Sequence, residues 1–148
     1  MTKRELIEAV GVAASSAAQR ILVLDDDEWF ADSLAKTIRQ QLSNSLPGCH
    51  FMVQSATTID RALDLIDDGK KLPRLIVSDF HLGQQNFFTL VNELASYEDT
   101  DAIAKIILSS SGDRINPADV HQYGVATVLD KKTFQMNDLI NTIMQELA

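Results

Sequence analysis

Asp25, Asp26 and Asp27 stand in succession in a chain of 148 residues, and Asp79, Ser109 and Lys131 follow singly further along. Three or more carboxylates gathered in one shallow cleft repel each other unless a cation compensates them. Oxygen donors without a His or Cys cluster suit a hard ion such as magnesium, Mg2+. A nearby lysine attracts phosphate as a point charge, and a serine hydroxyl can donate to a phosphoryl oxygen. The chemistry that these types share is phosphoryl transfer, provided that the fold brings them to one place.

Each of these groups closely follows a short apolar run. Ile21 to Leu24 leads into the acid triplet, Leu75-Ile76-Val77 and Ser78 into Asp79, Ile106-Ile107-Leu108 into Ser109, and Val125 to Leu129 closely precedes Lys131. Phe51-Met52-Val53, after a break at Leu46-Pro47-Gly48, reads as one further strand. Amphipathic stretches separate the runs. Phe30, Leu34, Ile38 and Leu42 recur at four-residue spacing, with Asp32, Lys36, Arg39 and Gln40 on the other face, as a half-buried helix requires. Ile59, Ala62, Leu63 and Ile66 form a second stripe, with a glycine stop expected at Asp68-Gly69. Phe87, Leu90, Val91 and Leu94 form a third. Ser109, Ser110, Ser111 and Gly112 close the fourth strand, after which Asn116 as cap and Pro117 in the first turn start a helix that ends before Gly124. Met136, Leu139, Ile140, Ile143 and Leu147 complete the last stripe.

Five strands alternating with five helical stretches predict an α/β domain, a doubly wound, mostly parallel sheet with helices on both faces. The carboxyl ends of such strands share one edge, where open sheets bind ligands. Asp25, Asp26, Asp27, Asp79, Ser109 and Lys131 are then neighbours. Residues 1–19 stand outside the alternation as an N-terminal extension, either a short helix over Glu5 to Val10 or a flexible segment, and residues 20–148 form the domain.

The composition narrows the class. Hydrophobic residues make up 45% and charged residues 23%, the balance of a soluble globular chain. Lys and Arg total 13 against 21 Asp and Glu, a formal charge of -8, which argues against sequence-independent binding to nucleic acid. Cys49 is the only cysteine, so no disulfide forms within one chain. No apolar stretch approaches a membrane span, and Glu8 interrupts Leu6, Ile7 and Val10 where a secretory leader needs an apolar core. A cytoplasmic protein without membrane insertion is the expectation.

The order and spacing of these motifs closely resemble the response-regulator receiver domain of two-component signal transduction. The resemblance runs from about Arg20 to Ala148 and rests on Ile21-Leu22-Val23-Leu24-Asp25-Asp26 with Asp27 next, on Asp79 after Leu75-Ile76-Val77-Ser78, on Ser109 after Ile106-Ile107-Leu108, and on Lys131 seven residues beyond Gly124. It implies a flavodoxin-like fold with strand order 2-1-3-4-5. It also implies that Asp79 is the phosphoacceptor, with Ser109 and Lys131 meeting the phosphoryl group. Asp26 and Asp79 would hold magnesium directly, Asp25 through water, and His81 by its main-chain carbonyl. The implied donor is a phosphohistidine on a sensor histidine kinase or a histidine phosphotransfer protein. The implied output surface is the fourth helix, fifth strand and fifth helix, within Pro117 to Leu147, facing a downstream protein or a second copy. Such a phosphorelay component assists modification of its own side chain, so enzyme is an uncertain description.

The sequence departs from the receiver pattern at four places. Gly83 replaces a proline four residues after Asp79, and Phe87 replaces a glycine eight residues after it. Without that proline, His81 to Asn86 is expected to be a more mobile loop. Val128 occupies the switch-aromatic position, so no Tyr or Phe swing is available there, and Lys132 follows Lys131 where proline is common.

Two other classes compete. Asp25, a spacer and Asp27 after the first strand is the pattern of a haloacid-dehalogenase-like phosphatase, with Asp25 as nucleophile and Asp27 as general acid, although Asp130 alone does not supply the late acid pair. A degenerate receiver that binds proteins without phosphorylation is the other. Individual residues have plainer roles open to them: Asp25 and Asp26 as helix caps, Ser109 as a structural hydroxyl, Lys132 in place of Lys131, His81 as a loop side chain, and Trp29 and Phe30 as packing or rim. No output domain follows Ala148, which fits both a stand-alone relay protein and a domain cut from a larger regulator.

Overall fold

The computed structural model describes residues 2–14, 18–68, 71–110 and 115–148. The elements in chain order are α1 (Lys3–Ala14), β1 (Gln19–Leu24), α2 (Glu28–Ser45), β2 (Phe51–Ala56), α3 (Ile59–Asp68), β3 (Leu75–Asp79), β4 (His81–Leu82), β5 (Gln85–Asn86), α4 (Phe87–Leu94), α5 (Glu98–Asp101), β6 (Ala104–Ser109), α6 (Pro117–Val120), β7 (Val125–Asp130) and α7 (Met136–Leu147). Five strands pair in parallel in the order β2-β1-β3-β6-β7. This is the expected 2-1-3-4-5 arrangement of a flavodoxin-like fold.

Strand periodicity explains why the central runs are apolar throughout. Successive side chains point to opposite faces, so a strand covered on both sides has no solvent face to give to polar residues. Ile21 and Val23 enter one core with Leu75, Val77, Ile106 and Leu108, under α2 and α7. Leu22 and Leu24 enter the other with Ile76 and Ile107, under α3 and α4. The edge strands β2 and β7 are only partly buried, and for β2 this explains why its apolar run is short.

Several strands extend beyond their apolar runs. Sheet pairing asks only for backbone donors and acceptors, so β1 starts at Gln19 and β6 at Ala104, through Lys105. Arg20 is accommodated by donating to the Leu65 carbonyl (2.6 Å), the Lys71 carbonyl (2.5 Å) and Gln54 Oε1 (3.0 Å), the first of these near the C-terminal end of α3.

The expected fourth helix is shorter than a full amphipathic element. Asn116 caps α6 by accepting from the Ala118 N–H, Pro117 stands in its first turn, and a 3-10 turn over His121–Tyr123 carries the chain to Gly124 at φ 82. The α5 turn and the β4–β5 hairpin were not signalled by any apolar period. At the other end, Leu6 of α1 is buried in the core that α7 covers. Ser15, Ser16 and Ala17, the stop expected at Gly69, and Ser111 and Gly112 after β6 lie outside the described residues. Among the described residues, no helix is long and apolar enough to cross a membrane.

Candidate functional site

The carboxyl edge of the sheet carries the acids. Asp25 directly follows β1, 2% exposed, and its N–H still pairs with the Ala56 carbonyl at 3.1 Å. Asp25 Oδ1 accepts from the Asp27 N–H (2.9 Å), and Asp27 in turn caps α2 by accepting from the Phe30 N–H (3.1 Å). Capping therefore falls to the third acid of the run. Asp79, 7% exposed, ends β3 beside β1. One carboxylate oxygen from each of Asp25, Asp26 and Asp79 lies within 4.8 Å of the others.

Lys131 enters this cluster from the far side of the sheet. Its N–H donates to the Ser109 carbonyl at 2.7 Å, which fixes its main chain where β7 leaves β6. Its Nζ lies 2.7 Å from Asp25 Oδ2 and 3.1 Å from Asp79 Oδ2. It also lies 4.5 Å from the centroid of the Phe30 ring. Lys132 is exposed, and its N–H donates to Asp130 Oδ1, so the first of the two lysines is the one in the site.

Burial and charge oppose each other here. Desolvation raises the Asp25 pKa above its ordinary value, outweighing the hydrogen bonds from Lys131 and the Asp27 amide and the attraction of the ammonium, with Asp79 adding repulsion. Burial pulls Lys131 the other way from its final position, because the hydrogen bonds and charges of Asp25 and Asp79 together raise its pKa above the usual lysine value. The two shifts have different causes: burial drives that of Asp25, whereas on Lys131 the two carboxylates together outweigh burial.

The remaining candidates surround this centre. Ser109 is buried at the end of β6, its hydroxyl donating to the Ser110 carbonyl at 3.1 Å. His81 opens β4 with its side chain exposed and its ring edge-on to Phe80 at 5.2 Å. The loop expected to be mobile is a paired hairpin, with His81 opposite Asn86 and Leu82 opposite Gln85. Gly83, at φ 69, makes the two-residue turn that a proline could not make, and its N–H donates to Asp26 Oδ2 at 3.2 Å. Phe87 is fully buried at the start of α4. Trp29 is 77% exposed on the rim. Phe30 is read from the sequence as part of the α2 stripe and as packing or rim, and what that reading missed is its contact with the ammonium; no local pattern links it to a lysine so far along the chain.

This donor set fits a small, hard divalent cation. The three carboxylates offer oxygen alone, and their spacing is compatible with one shared ion. Lys131 compensates only part of their charge.

The chain has the fold of response-regulator receiver domains. At 21% identity and a TM-score of 0.68 it is similar to the non-phosphorylated receiver domain of HemR from Leptospira biflexa, covering 88% of this chain and 94% of that one. The signal receiver domain of a DNA-binding response regulator from Colwellia psychrerythraea 34H matches at 25% identity and a TM-score of 0.68, over 86% of this chain and 96% of that one. A response regulator receiver protein from Pseudomonas putida matches at 20% and 0.69, over 88% and 98%. No protein-family model and no curated protein matches the sequence.

Proposed function

We propose that this chain is a phosphoacceptor receiver that takes a phosphoryl group from a phosphohistidine donor onto Asp79 and thereby switches its protein contacts in a two-component phosphorelay. The observation that carries the reading is the Lys131 ammonium between Asp25 and Asp79, 2.7 Å from one and 3.1 Å from the other, at the carboxyl edge of a receiver-type sheet. Asp79 is the nucleophile, and a carboxylate oxygen attacks phosphorus without a general base. Lys131 stands ready to balance charge on the transferring oxygens, and Ser109 lies at the adjacent strand end to meet one of them. Asp25, Asp26, Asp79 and the His81 carbonyl would hold magnesium, which when bound supplies charge compensation for the phosphoryl oxygens. The rate enhancement rests on positioning and electrostatics.

An acyl phosphate on Asp79 carries roughly 1.5 to 2 negative charges in place of the single charge of the carboxylate, and spreads them over phosphoryl oxygens next to the lysine and serine at the ends of β6 and β7. The outward face of α6, β7 and α7 is then the surface for a downstream protein or a second copy. Residues 20–148 carry the function in this reading, residues 1–19 are an N-terminal extension whose Leu6 packs into the same core and whose Gln19 opens β1, and the site of action is cytoplasmic. The phosphatase alternative has no support, because Asp27 is engaged as the cap of α2 and is not aimed at the cluster as a general acid.

The test is intact-protein mass spectrometry after incubation with acetyl phosphate, with and without magnesium, on the wild type and Asp79→Ala. One phosphoryl adduct that needs both magnesium and Asp79 supports the reading. Absence of an adduct under conditions that trap short-lived acyl phosphates overturns it in favour of a receiver that signals through its surface alone.

A further inference from the structure

The ammonium of Lys131 has three N–H donors. Asp25 Oδ2 and Asp79 Oδ2 account for two directions, and the ring of Phe30, 4.5 Å away, covers a third side. The ring is itself held in place. The Phe30 N–H is tied to the Asp27 cap at 3.1 Å, and the side chain packs half-buried against the core shared by α2 and α7. An aliphatic side chain at this position would leave the charge facing a neutral surface, and a third carboxylate would add repulsion and lock the amine. An aromatic face attracts a cation without demanding one direction, so the ammonium can turn while staying over the site.

We propose that Phe30 is a positioning residue for Lys131, its ring face holding the ammonium over the acid cluster so that it can leave Asp25 for the phosphoryl oxygens during transfer to Asp79. The inference rests on the receiver reading above. In the step concerned, a carboxylate oxygen of Asp79 forms a bond to phosphorus. With acetyl phosphate as donor, the bond from phosphorus to the bridging acyl oxygen breaks and acetate leaves with the electron pair; with a phosphohistidine donor the phosphorus–nitrogen bond breaks and the imidazole nitrogen keeps the pair. No proton moves, and Lys131 keeps all of its own.

A fluorinated series separates the ring's charge distribution from its shape. Fluoro-, difluoro- and trifluorophenylalanine at position 30 retain most of the packing while weakening the negative ring face stepwise. With acetyl phosphate and saturating magnesium, the phosphorylation rate is expected to fall in step with that weakening, by roughly three- to thirtyfold across the series, with little change in Tm. Phe30→Leu falls at least as far, and Phe30→Tyr recovers most of the loss. Equal rates for all the rings would overturn the proposal and leave Phe30 as packing. A second measurement holds if the wild type takes up no phosphate, the result that overturns the receiver reading instead. Tm is compared for Phe30→Leu, Lys131→Met and the double variant without any donor. A double-variant loss smaller than the sum of the two single losses supports a direct ring–ammonium interaction, and additive losses overturn it.

Discussion

The ammonium of Lys131 lies 2.7 Å from Asp25 Oδ2, and the side chains are only 19% and 3% exposed, so the tightest ion pair at the site joins two groups with little water to screen them. The pair is nevertheless uneven. Lys131 is stabilised by two carboxylates, whereas Asp25 faces one cation, a neighbouring Asp79 and a large cost of desolvation.

Asp25→Asn is therefore expected to stabilise the metal-free fold, by about 1 kcal/mol at neutral pH. The sign in pH follows from the raised pKa. Between the ordinary carboxylate value of 3.8 and the higher folded value, the native state binds more protons than the unfolded one, so the Asp25 contribution declines as pH rises through that window. The advantage of Asp25→Asn should be largest above the window and disappear below it. Denaturant melts with chelator present, at neutral and acid pH, decide this; an Asn variant less stable than wild type at neutral pH would show that the ion pair outweighs the burial cost.

Magnesium should raise the Tm of the wild type, because an ion that binds only the folded cluster stabilises it by mass action, by about 2.7 kcal/mol at a hundredfold excess over Kd. Asp26→Asn should reduce that gain, since Asp26 is the exposed member of the three-acid cluster. Trp29 is the only tryptophan and is exposed in the first turn of α2, so its fluorescence gives an independent titration. An unchanged magnesium response in Asp26→Asn would remove that residue from the site.

Gly83→Pro, which brings the loop back to the usual receiver pattern, is expected to harm this chain. Gly83 sits at φ 69, which proline cannot adopt, and its N–H is the donor to Asp26 Oδ2. The cost should be about 1 to 3 kcal/mol, together with weaker magnesium binding. Calorimetry and a magnesium titration provide the check, and a variant as stable as wild type with unaltered affinity would mean that the hairpin has no part in holding Asp26.

Gly124→Ala should cost about 1 to 2 kcal/mol for a related reason at the opposite edge. Gly124 has φ 82, and a Cβ there would stand 3.2 Å from Lys105 Nζ and 3.4 Å from the Ile103 carbonyl. Lys105 is 1% exposed, and its Nζ donates to the carbonyls of Ile103 (2.7 Å), Tyr123 (2.9 Å) and Asp101 (3.3 Å). Burial lowers its pKa, with Asp101 opposing in part. Combining Gly124→Ala with Lys105→Met should give a loss smaller than the sum, measured by urea melts, because the crowding is relieved once the ammonium is gone. Strict additivity would mean that backbone strain alone accounts for the glycine.

Much of the layout was legible because it depends on local periodicity. A parallel strand buried on both faces must be apolar at every position, and a helix packed on one face must repeat near every fourth residue, so β1, β3, β6, α2 and α7 could be read directly. Their alternation then fixes where strand ends meet, since crossovers are right-handed and carboxyl ends share an edge. The hairpin after Asp79 escaped because two-residue strands carry no period, and Gly83 read as the loss of a rigid residue when its positive φ is what makes the turn. Lys105 escaped because a lysine in a strand signals an edge or solvent until three carbonyls converge on it.

The sequence alone determined the parallel α/β layout, the order of its strands' apolar runs and the four strand ends at which chemistry-bearing side chains collect. Tertiary structure decided which lysine enters the cluster, that Asp27 and not Asp25 caps the helix, and that an aromatic ring lies against the ammonium. Those outcomes depend on contacts between residues far apart in the chain, such as Asp79 and Lys131, 52 positions apart. Hydrophobic periodicity is a property of neighbours along the chain, whereas the direction of a single charged side chain is set by whichever buried donors and acceptors the finished fold brings within a few ångströms of it.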